Sequence, residues 1–279
     1  MRLACVGDVG TDNYTNPGLR KPGGIAFNVA FNALACGLDV SIASAIGTDS
    51  EGDALSTLLA DLGLDTSAVR RLGGRTARQD IDVERDGERR FVGYDKGVLT
   101  DWHLGDEDLS SIAAHDAVFV PLTDGMEGVF AAVAQITGPA IKAADFSIDY
   151  EFADFERADN VLARNCAAFD VNFLGGCHEL VSMVERLAER HPARIFVLTL
   201  GAEGAIAFHQ GKRYAEPAPS IRRVVDTTGC GDAFQAAFLA TFAATGDVPA
   251  SLGAGAARAA VAITHLGSTT LTLRDCPKS

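Results

Sequence analysis

The chain has few of the features that bind transition metals or cross membranes. Its six cysteines form no C-x-x-C pair and no Cys/His cluster with zinc spacing, and His178-Glu179 is not followed by a second histidine in H-E-x-x-H register. The longest apolar runs, near 233–244 and 254–263, are too short to span a bilayer, and the one at the N-terminus is too short for a signal peptide. We therefore expect a reduced, cytoplasmic protein. The cysteines are Cys5, Cys36, Cys166, Cys177, Cys230 and Cys276.

Positive charge is also scarce. The 279 residues carry 24 Lys and Arg against 37 Asp and Glu, a net charge of −13, which argues against binding nucleic acid or anionic membranes. The sequence lacks a G-x-G-x-x-G turn after its first strand and a G-x-x-x-x-G-K-[ST] loop, which argues against a Rossmann dehydrogenase and a P-loop kinase. No internal repeat or linker stands out, so residues 1–279 are predicted to form a single folded domain.

Apolar strands and helices alternate along most of the chain. Strands are predicted at 3–7, 41–46, 117–121 and 195–200, with two more ending at Asp145 and near Phe169. Helices are predicted at 26–37, 51–63, near 125–137 and near 178–190. This alternation favours a three-layer α/β fold with a mainly parallel sheet, in which ligands bind beyond the carboxyl ends of the strands. Asp8, Asp145 and Gly201 would then share one edge of the sheet.

The most informative motif is D-T-T-G-C-G-D at residues 226–232, which runs directly into an apolar helix. The first turn of a helix has free N–H groups and a partial positive charge, and glycine lets a ligand approach the backbone. The amides of Gly229, Cys230 and Gly231 would form a cradle for an anion, with the carboxylate of Asp232 beside it. This arrangement suits the transfer of a phosphoryl group to a hydroxyl. An N-cap is the structural alternative for Asp232, and a reactive thiol is a weaker idea for Cys230.

Four motifs in order give the chain a resemblance to the PfkB/ribokinase family of sugar kinases. The D-T-T-G-C-G-D motif resembles the family's D-T-x-G-A-G-D, with Cys230 in place of alanine. Residues 23–30 resemble its G-G-x-x-x-N-x-A motif, residues 47–52 its G-x-D-x-x-G motif, and residues 199–204 its T-L-G-x-x-G turn. The resemblance extends over nearly the whole chain. It implies a ribokinase-like three-layer α/β/α fold with a mainly parallel central sheet and a small β-sheet lid.

The lid is expected from residues 9–24 and 75–97, which do not follow the strand-helix alternation. Residues 75–97 alternate around Asp86-Gly87, which is a hairpin signal. The resemblance implies that both regions cover the sugar and that the lid mediates a homodimer. A surface hairpin without a function is the alternative.

On the sugar side, the resemblance implies that Asp8 accepts hydrogen bonds from hydroxyls and that Asn28 donates from its helix. Gly23 and Gly24 would let the backbone approach the sugar, and Asp12 is a further candidate of the same kind as Asp8. Polar groups fixed in this way are what a sugar site needs.

Arg78, near the start of the predicted lid strand, is a further substrate-side candidate. Its guanidinium would reach substrate or phosphate, or else remain solvated.

The resemblance also implies ATP as the phosphoryl donor. Asp226 would hold a monovalent cation, usually K⁺, together with residues near 265–268, and a turn-stabilising aspartate is the alternative. ATP phosphates recruit Mg²⁺. The family's N-x-x-E element for Mg²⁺ is replaced by a longer spacing from Asn172 to Glu179, which leaves Glu179 as the candidate. The nucleotide side would be Thr199, Gly201, Gly204 and Thr228.

Residues 93–101 and Asp145-Phe-Ser147 resemble the fructoselysine (fructosamine) 6-kinase branch. The predicted reaction is phosphorylation of a primary hydroxyl on a ketose-like sugar, which includes fructosyl amino acids. Fructokinase, ribokinase and nucleoside kinase activities are the alternatives, and Tyr14 and Phe27 would be able to stack a nucleobase. A sugar-responsive binding protein is the non-enzyme alternative, against which the presence of Asp232 argues.

Overall fold

The computed structural model describes residues 1–16, 18–84, 87–146 and 155–273. The strands in these ranges are β1 (Arg2–Val6), β2 (Gly10–Tyr14), β3 (Leu19–Gly23), β4 (Asp39–Gly47), β5 (Asp65–Leu72), β6 (Ala77–Val83), β7 (Arg89–Asp95), β8 (Ala117–Pro121), β9 (Ile141–Asp145), β10 (Val171–Gly175), β11 (Ile195–Thr199), β12 (Ala205–His209) and β13 (Lys212–Glu216). The α-helices are α1 (Ile25–Ala35), α2 (Ser50–Asp61), α3 (Asp106–Ala113), α4 (Glu127–Gln135), α5 (Phe155–Asn165), α6 (Val181–Arg190), α7 (Cys230–Thr245) and α8 (Val248–Ala262).

Nine strands form one sheet in the order β13-β12-β11-β10-β9-β8-β1-β4-β5. Every pair from β11 to β5 is parallel, and β12 and β13 extend one edge in antiparallel pairing. A parallel sheet needs crossover helices, which cover its faces and make its strands apolar throughout. The carboxyl ends of β1, β9, β10 and β11 therefore lie along the same edge.

The large sheet separates two apolar clusters. Along β1, Leu3 and Cys5 belong to one cluster and Ala4 and Val6 to the other, since successive side chains point to opposite faces. Helices α1, α2, α7 and α8 pack on the first face, and α4, α5 and α6 on the second. The three-layer fold and the mainly parallel sheet are confirmed.

A second sheet, here called the lid, has four strands in the order β3-β2-β6-β7. The pairing of β2 with β6 is parallel, and the other two pairs are antiparallel. Of the expected hairpin turn, Asp86 lies outside the described residues, while the Gly87 amide donates to the Glu84 carbonyl at 3.0 Å. The two regions predicted to form a lid do form one sheet.

One predicted strand differs in position. The strand expected to end near Phe169 begins at Val171 instead, because Phe169 follows a 3₁₀ turn and packs against Phe130 with ring centroids 5.0 Å apart. No helix in the described ranges has both the length and the apolar character to cross a membrane.

Candidate active site

The loop at 226–232 leads into α7 as the motif predicts. Gly229 has φ 74° and precedes the helix, and the first helical bond runs from the Ala233 amide to the Gly229 carbonyl at 2.9 Å. The amides of Gly231 and Asp232 come before that bond and stay outside the helical ladder, where they are available to an anion. The Cys230 amide instead donates to the Thr227 carbonyl at 3.3 Å, so this predicted member of the cradle takes part in the turn.

Glycine occupies the two positions of this loop for different physical reasons. A Cβ on Gly229 would lie 2.4 Å from Cβ of Ser268, so the loop packs closely on the chain near Ser268, and positive φ also favours glycine there. A Cβ on Gly231 would meet no described atom within 4 Å. Gly229 therefore fixes the loop, and Gly231 leaves an open backbone surface.

Asp232 lies in the first turn of α7 and is 9% exposed. Its Oδ2 accepts a hydrogen bond from Nδ2 of Asn28 on α1 at 2.8 Å. Burial raises the pKa of Asp232 to about 7, and the charges of Asp145 and Asp8 add to this, while the hydrogen bond from Asn28 opposes it. A carboxylate with a pKa near neutrality is suited to accept a proton.

Asp145 is a second carboxylate of this kind. It ends β9, and its Oδ2 accepts a hydrogen bond at 2.9 Å from Nε2 of Gln235, three residues after Asp232 on α7. Burial raises the pKa of Asp145 to about 7 against the effect of that bond, and the charge of Asp8 adds to it. Gln235 was not predicted from sequence, although an amide inside an apolar helix beside Asp232 is a detectable signal.

Asp8 has a structural task at the start of α1. Its Oδ2 accepts from the Ile25 amide at 2.9 Å and its Oδ1 from the Ala26 amide at 3.2 Å. Gly24, with φ 103°, is needed here because a Cβ would lie 2.5 Å from the Asp8 carbonyl oxygen. Burial raises the pKa of Asp8 and the two backbone bonds lower it. Asp8 thus holds α1, and with it Asn28, against the edge of the large sheet.

The lid brings Asp12 to the same place. Asp12 is 5% exposed, and a Cβ on Gly23 would lie 2.2 Å from its Oδ1, so Gly23 makes room for this carboxylate. Burial raises the pKa of Asp12 well above its usual value, and the charges of Asp8 and Asp232 add to this. Lys21 is the cross-strand neighbour of Asp12 and brings a cation to this acidic region.

The lid hairpin also touches the loop that precedes α7. The Thr227 amide donates to the Gly87 carbonyl at 3.1 Å, and Nη1 of Arg89 donates to Oγ1 of Thr227 at 3.1 Å. The positive charge of Arg89 lowers the pKa of Asp232 and of Cys230, although burial, the largest effect, raises both. Arg89 was not predicted from sequence.

Arg78 lies on the other face of the lid. It is paired with Thr11, whereas Asp12 and Lys21 occupy the alternate positions of their strands. Its Nε is 3.4 Å from Oδ1 of Asp80, and its side chain lines a cavity with Arg20 and other charged groups. The structure therefore does not bring Arg78 together with Asp12.

Asp226 is fully buried and accepts four hydrogen bonds. Its Oδ1 accepts from the Thr228 amide at 2.8 Å and from Oγ1 of Thr228 at 2.7 Å. Its Oδ2 accepts from the Tyr14 hydroxyl at 2.8 Å and from the Gly267 amide at 2.7 Å. Asp226 thereby joins the loop, the lid and the chain at Gly267.

Three of the four residues assigned to the nucleotide side, Thr199, Gly201 and Gly204, lie at the end of β11 and in the turn before β12, whereas Thr228 lies beside Asp226. Oγ1 of Thr199 donates to the Leu174 carbonyl at 3.3 Å. Gly201 and Gly204 have φ 57° and 95°, and a Cβ on Gly204 would lie 2.0 Å from the Glu216 carbonyl oxygen. These glycines are thus required by the turn itself.

Glu179 is exposed on a 3₁₀ turn after β10. A hydrogen bond from Cys177 lowers its pKa. Among the described residues, no three His, Cys, Asp or Glu side chains are grouped to hold a metal ion.

Several buried polar atoms have no hydrogen-bond partner among the described residues. They include Oδ1 of Asn28, Oε1 of Gln235 and Oγ of Ser268. Buried polar groups are nearly always paired, so each of these atoms calls for a partner that a bound ligand or a water molecule would supply. Since both amides direct their NH₂ groups to carboxylates, the missing partners of their oxygens are donors.

Two sequence-based alternatives lose support. Tyr14 and Phe27 are both 0% exposed, and Tyr14 is bonded to Asp226, so neither is open to stack a nucleobase. Burial raises the pKa of the Cys230 thiol, which disfavours the reactive thiolate.

Comparison with known proteins identifies the family and the fold of the chain. The family model described as "pfkB family carbohydrate kinase" matches residues 8–122 and 172–275. The fructoselysine 6-kinase of Escherichia coli (strain K12) is 29% identical over 269 residues, which cover 95% of this chain and 98% of that protein. The fructosamine kinase FrlD of Bacillus subtilis (strain 168) is 27% identical over 93% of this chain and 90% of its own length. A solved structure of a fructokinase double mutant from Vibrio cholerae O395, with fructose, ADP and potassium ion bound, matches with a TM-score of 0.79 at 20% identity over 96% of this chain and 94% of that one.

Proposed function

Because the chain belongs to the pfkB family of carbohydrate kinases, which transfer phosphoryl groups to alcohols, we propose that it phosphorylates a primary hydroxyl of a ketose-like sugar with ATP. Fructosyl amino acids such as fructoselysine are the proposed substrates. Two relatives that align over most of their length are named for fructoselysine and fructosamine, which supports this choice. Fructokinase, ribokinase and nucleoside kinase activities are the alternatives on the same fold.

The observation that carries the proposal is the pair of buried amide oxygens without partners. Oδ1 of Asn28 and Oε1 of Gln235 each lie on an amide that donates to a carboxylate whose pKa is about 7. A ligand that satisfies them must offer donors, and its oxygens must tolerate neighbouring carboxylates. A polyhydroxylated sugar meets both conditions, because each hydroxyl donates and accepts.

In this mechanism Asp232 accepts the proton of the attacking hydroxyl, while Asn28 orients the carboxylate. The amides of Gly231 and Asp232 hold the charge that develops on the transferred phosphoryl group, together with the dipole of α7. Correct placement of the two reactants accounts for most of the remaining rate enhancement.

On the nucleotide side, we assign ATP binding to the edge that contains Thr199 and Gly201. Mg²⁺ carried by ATP would neutralise phosphate charge, and the exposed carboxylate of Glu179 fits a water-mediated contact with it. The K⁺ site expected at Asp226 is left out of this assignment, because both carboxylate oxygens of Asp226 already accept hydrogen bonds.

The lid also supports a homodimer. Its edge strand β7 exposes Phe91, Val92 and Tyr94, by 49%, 46% and 40%. Apolar side chains on an edge strand favour pairing with another strand. A second copy of the chain is the proposed partner, and nucleic acid and membranes are not.

The test is a coupled ADP-release screen over fructosyl amino acids, ketoses, pentoses and nucleosides, with Asp232→Asn as the background control. We expect fructosyl amino acids to give the highest kcat/KM. A preference for fructose or ribose would identify that sugar as the substrate in place of fructosyl amino acids. Activity only with nucleosides would overturn the ketose assignment. Sugar binding without ADP release by the wild type would favour a sugar-responsive binding protein.

A further inference from the structure

Lys21 is a buried cation in the lid. It is 4% exposed and lies next to Asp12 across the β2–β3 pair. Its side chain packs on the backbone at Gly267, where an added Cβ would be 2.3 Å from Cε and 3.2 Å from Nζ. Gly267 therefore leaves room for the lysine, and the ammonium lies against the chain near residues 265–268.

The same stretch of backbone binds Asp226. The Gly267 amide donates to Oδ2 of Asp226 at 2.7 Å, and Tyr14, two residues from Asp12 on β2, donates to the same oxygen. Lys21 and Asp226 thus both adjoin Gly267, the lysine through packing and the carboxylate through a hydrogen bond.

A K⁺ ion does not fit this arrangement at Asp226. A carboxylate offers about four lone-pair positions, and the four donors described above occupy them. A cation that used Asp226 as a ligand would have to displace one of these donors. Lys21 is the cation that the lid places against Gly267, the partner of Asp226. Burial lowers the pKa of Lys21, and the charges of Asp226 and Asp12 oppose that effect.

We propose that the ammonium of Lys21 replaces the monovalent cation, so that this kinase orders its anion loop without K⁺. Lys21 is a positioning residue, and the inference rests on the proposed kinase function. Its ammonium fixes the chain at Gly267 and neutralises Asp226. The adjoining Ser268 supports Gly229, where an added Cβ would be 2.4 Å from Cβ of Ser268. The ammonium of Lys21 in the lid thereby stabilises the loop that binds the phosphoryl group, through Gly267 and Ser268.

The experiment compares the wild type with Lys21→Ala in K⁺ and in tetramethylammonium at equal ionic strength. Wild-type kcat and unfolding temperature are expected to be the same in both salts. Lys21→Ala should lose about tenfold to hundredfold in kcat in tetramethylammonium, the range for leaving a buried charged group without its counter-charge. K⁺ or propylammonium, which refill the space, should restore most of that loss, and K⁺ should raise the unfolding temperature of this variant only.

Arg20→Ala is the matched control. Arg20 is the preceding residue on β3, faces the other side of the lid and pairs with Glu51 at 2.9 Å. Its removal should produce no salt dependence and no rescue by propylammonium.

Two results would overturn the proposal: several-fold activation of the wild type by K⁺, or a folded Lys21→Ala variant that no cation restores. The unfolding temperatures need no sugar. If no sugar is phosphorylated but the temperatures behave as expected, the proposed function fails and the cation assignment stands.

Discussion

Replacing Asp232 with asparagine is expected to lower activity and raise stability. Asparagine keeps the size of the side chain and an oxygen for the 2.8 Å bond from Asn28, but it cannot take a proton from a hydroxyl. Turnover should therefore fall by at least about 10²-fold, the lower range for loss of a general base. Folding should not suffer, because the substitution also removes a buried negative charge.

The stability gain has a definite pH dependence. Burial raises the pKa of Asp232 from 3.8 to about 7 in the folded protein. The folded state therefore keeps the proton to a higher pH than the unfolded state, and the stability of the wild type falls as pH rises from about 4 to about 7. This shift corresponds to an upper limit of about 4 kcal/mol. Asp232→Asn escapes that cost, so its advantage should be near zero at pH 4 and full at pH 8.

Both effects are measurable on the same samples. Trp102 is the single tryptophan and is 3% exposed, so its fluorescence reports unfolding in urea at pH 5 and pH 8. ADP release reports turnover, and wild-type kcat/KM should drop about tenfold per pH unit below about 7. Asp124→Asn is the control: that side chain is 73% exposed and pairs with Lys96 at the surface, so we expect its replacement to change neither quantity. Near-normal turnover of Asp232→Asn would remove Asp232 from the mechanism. A free energy of unfolding equal to that of the wild type at pH 8 would refute the claim that the buried charge of Asp232 destabilises the fold.

Two further substitutions test neighbours of Asp232. Gln235→Met removes the 2.9 Å bond to Asp145 and a proposed sugar contact, so the sugar KM should rise about tenfold with the KM for ATP unchanged; an unchanged sugar KM would contradict this role. Arg89→Ala removes the bonds to Thr227 and should lower kcat/KM about threefold, whereas Arg90→Ala, on the same strand, should stay near wild type. Equal effects of the two arginine variants would mean that the contact with Thr227 does not matter.

Local sequence patterns predict much of the fold because strand and helix periodicities are local properties. The helices expected at 26–37 and 51–63 are α1 and α2, and the lid strands β6 and β7 follow from alternation and a turn signal, whereas β2 and β3 were expected only from the family resemblance. Helix α8 was not predicted, since it consists mostly of alanine and glycine and lacks a clear apolar stripe. The prediction of a strand end near Phe169 was wrong in position, because a buried aromatic residue in a loop has the same local sequence pattern as the end of a strand.

Residues of the candidate site can be predicted from the sequence only where they belong to a short motif. Asp232 and Asn28 belong to short motifs, and the structure joins them by a hydrogen bond. Lys21 meets Gly267 from far away in sequence, and no local pattern reports that contact. The face on which Arg78 lies depends on strand register, which a single strand does not encode.

The contact between the lid hairpin and Thr227 has a consequence for fidelity. Because the Gly87 carbonyl accepts a hydrogen bond from the Thr227 amide, movement of the lid away from the proposed sugar site would also remove a hydrogen bond from the loop proposed to bind the phosphoryl group. When water enters the site without sugar, this loop is therefore less well ordered. Hydrolysis of ATP in the absence of sugar should then be slow.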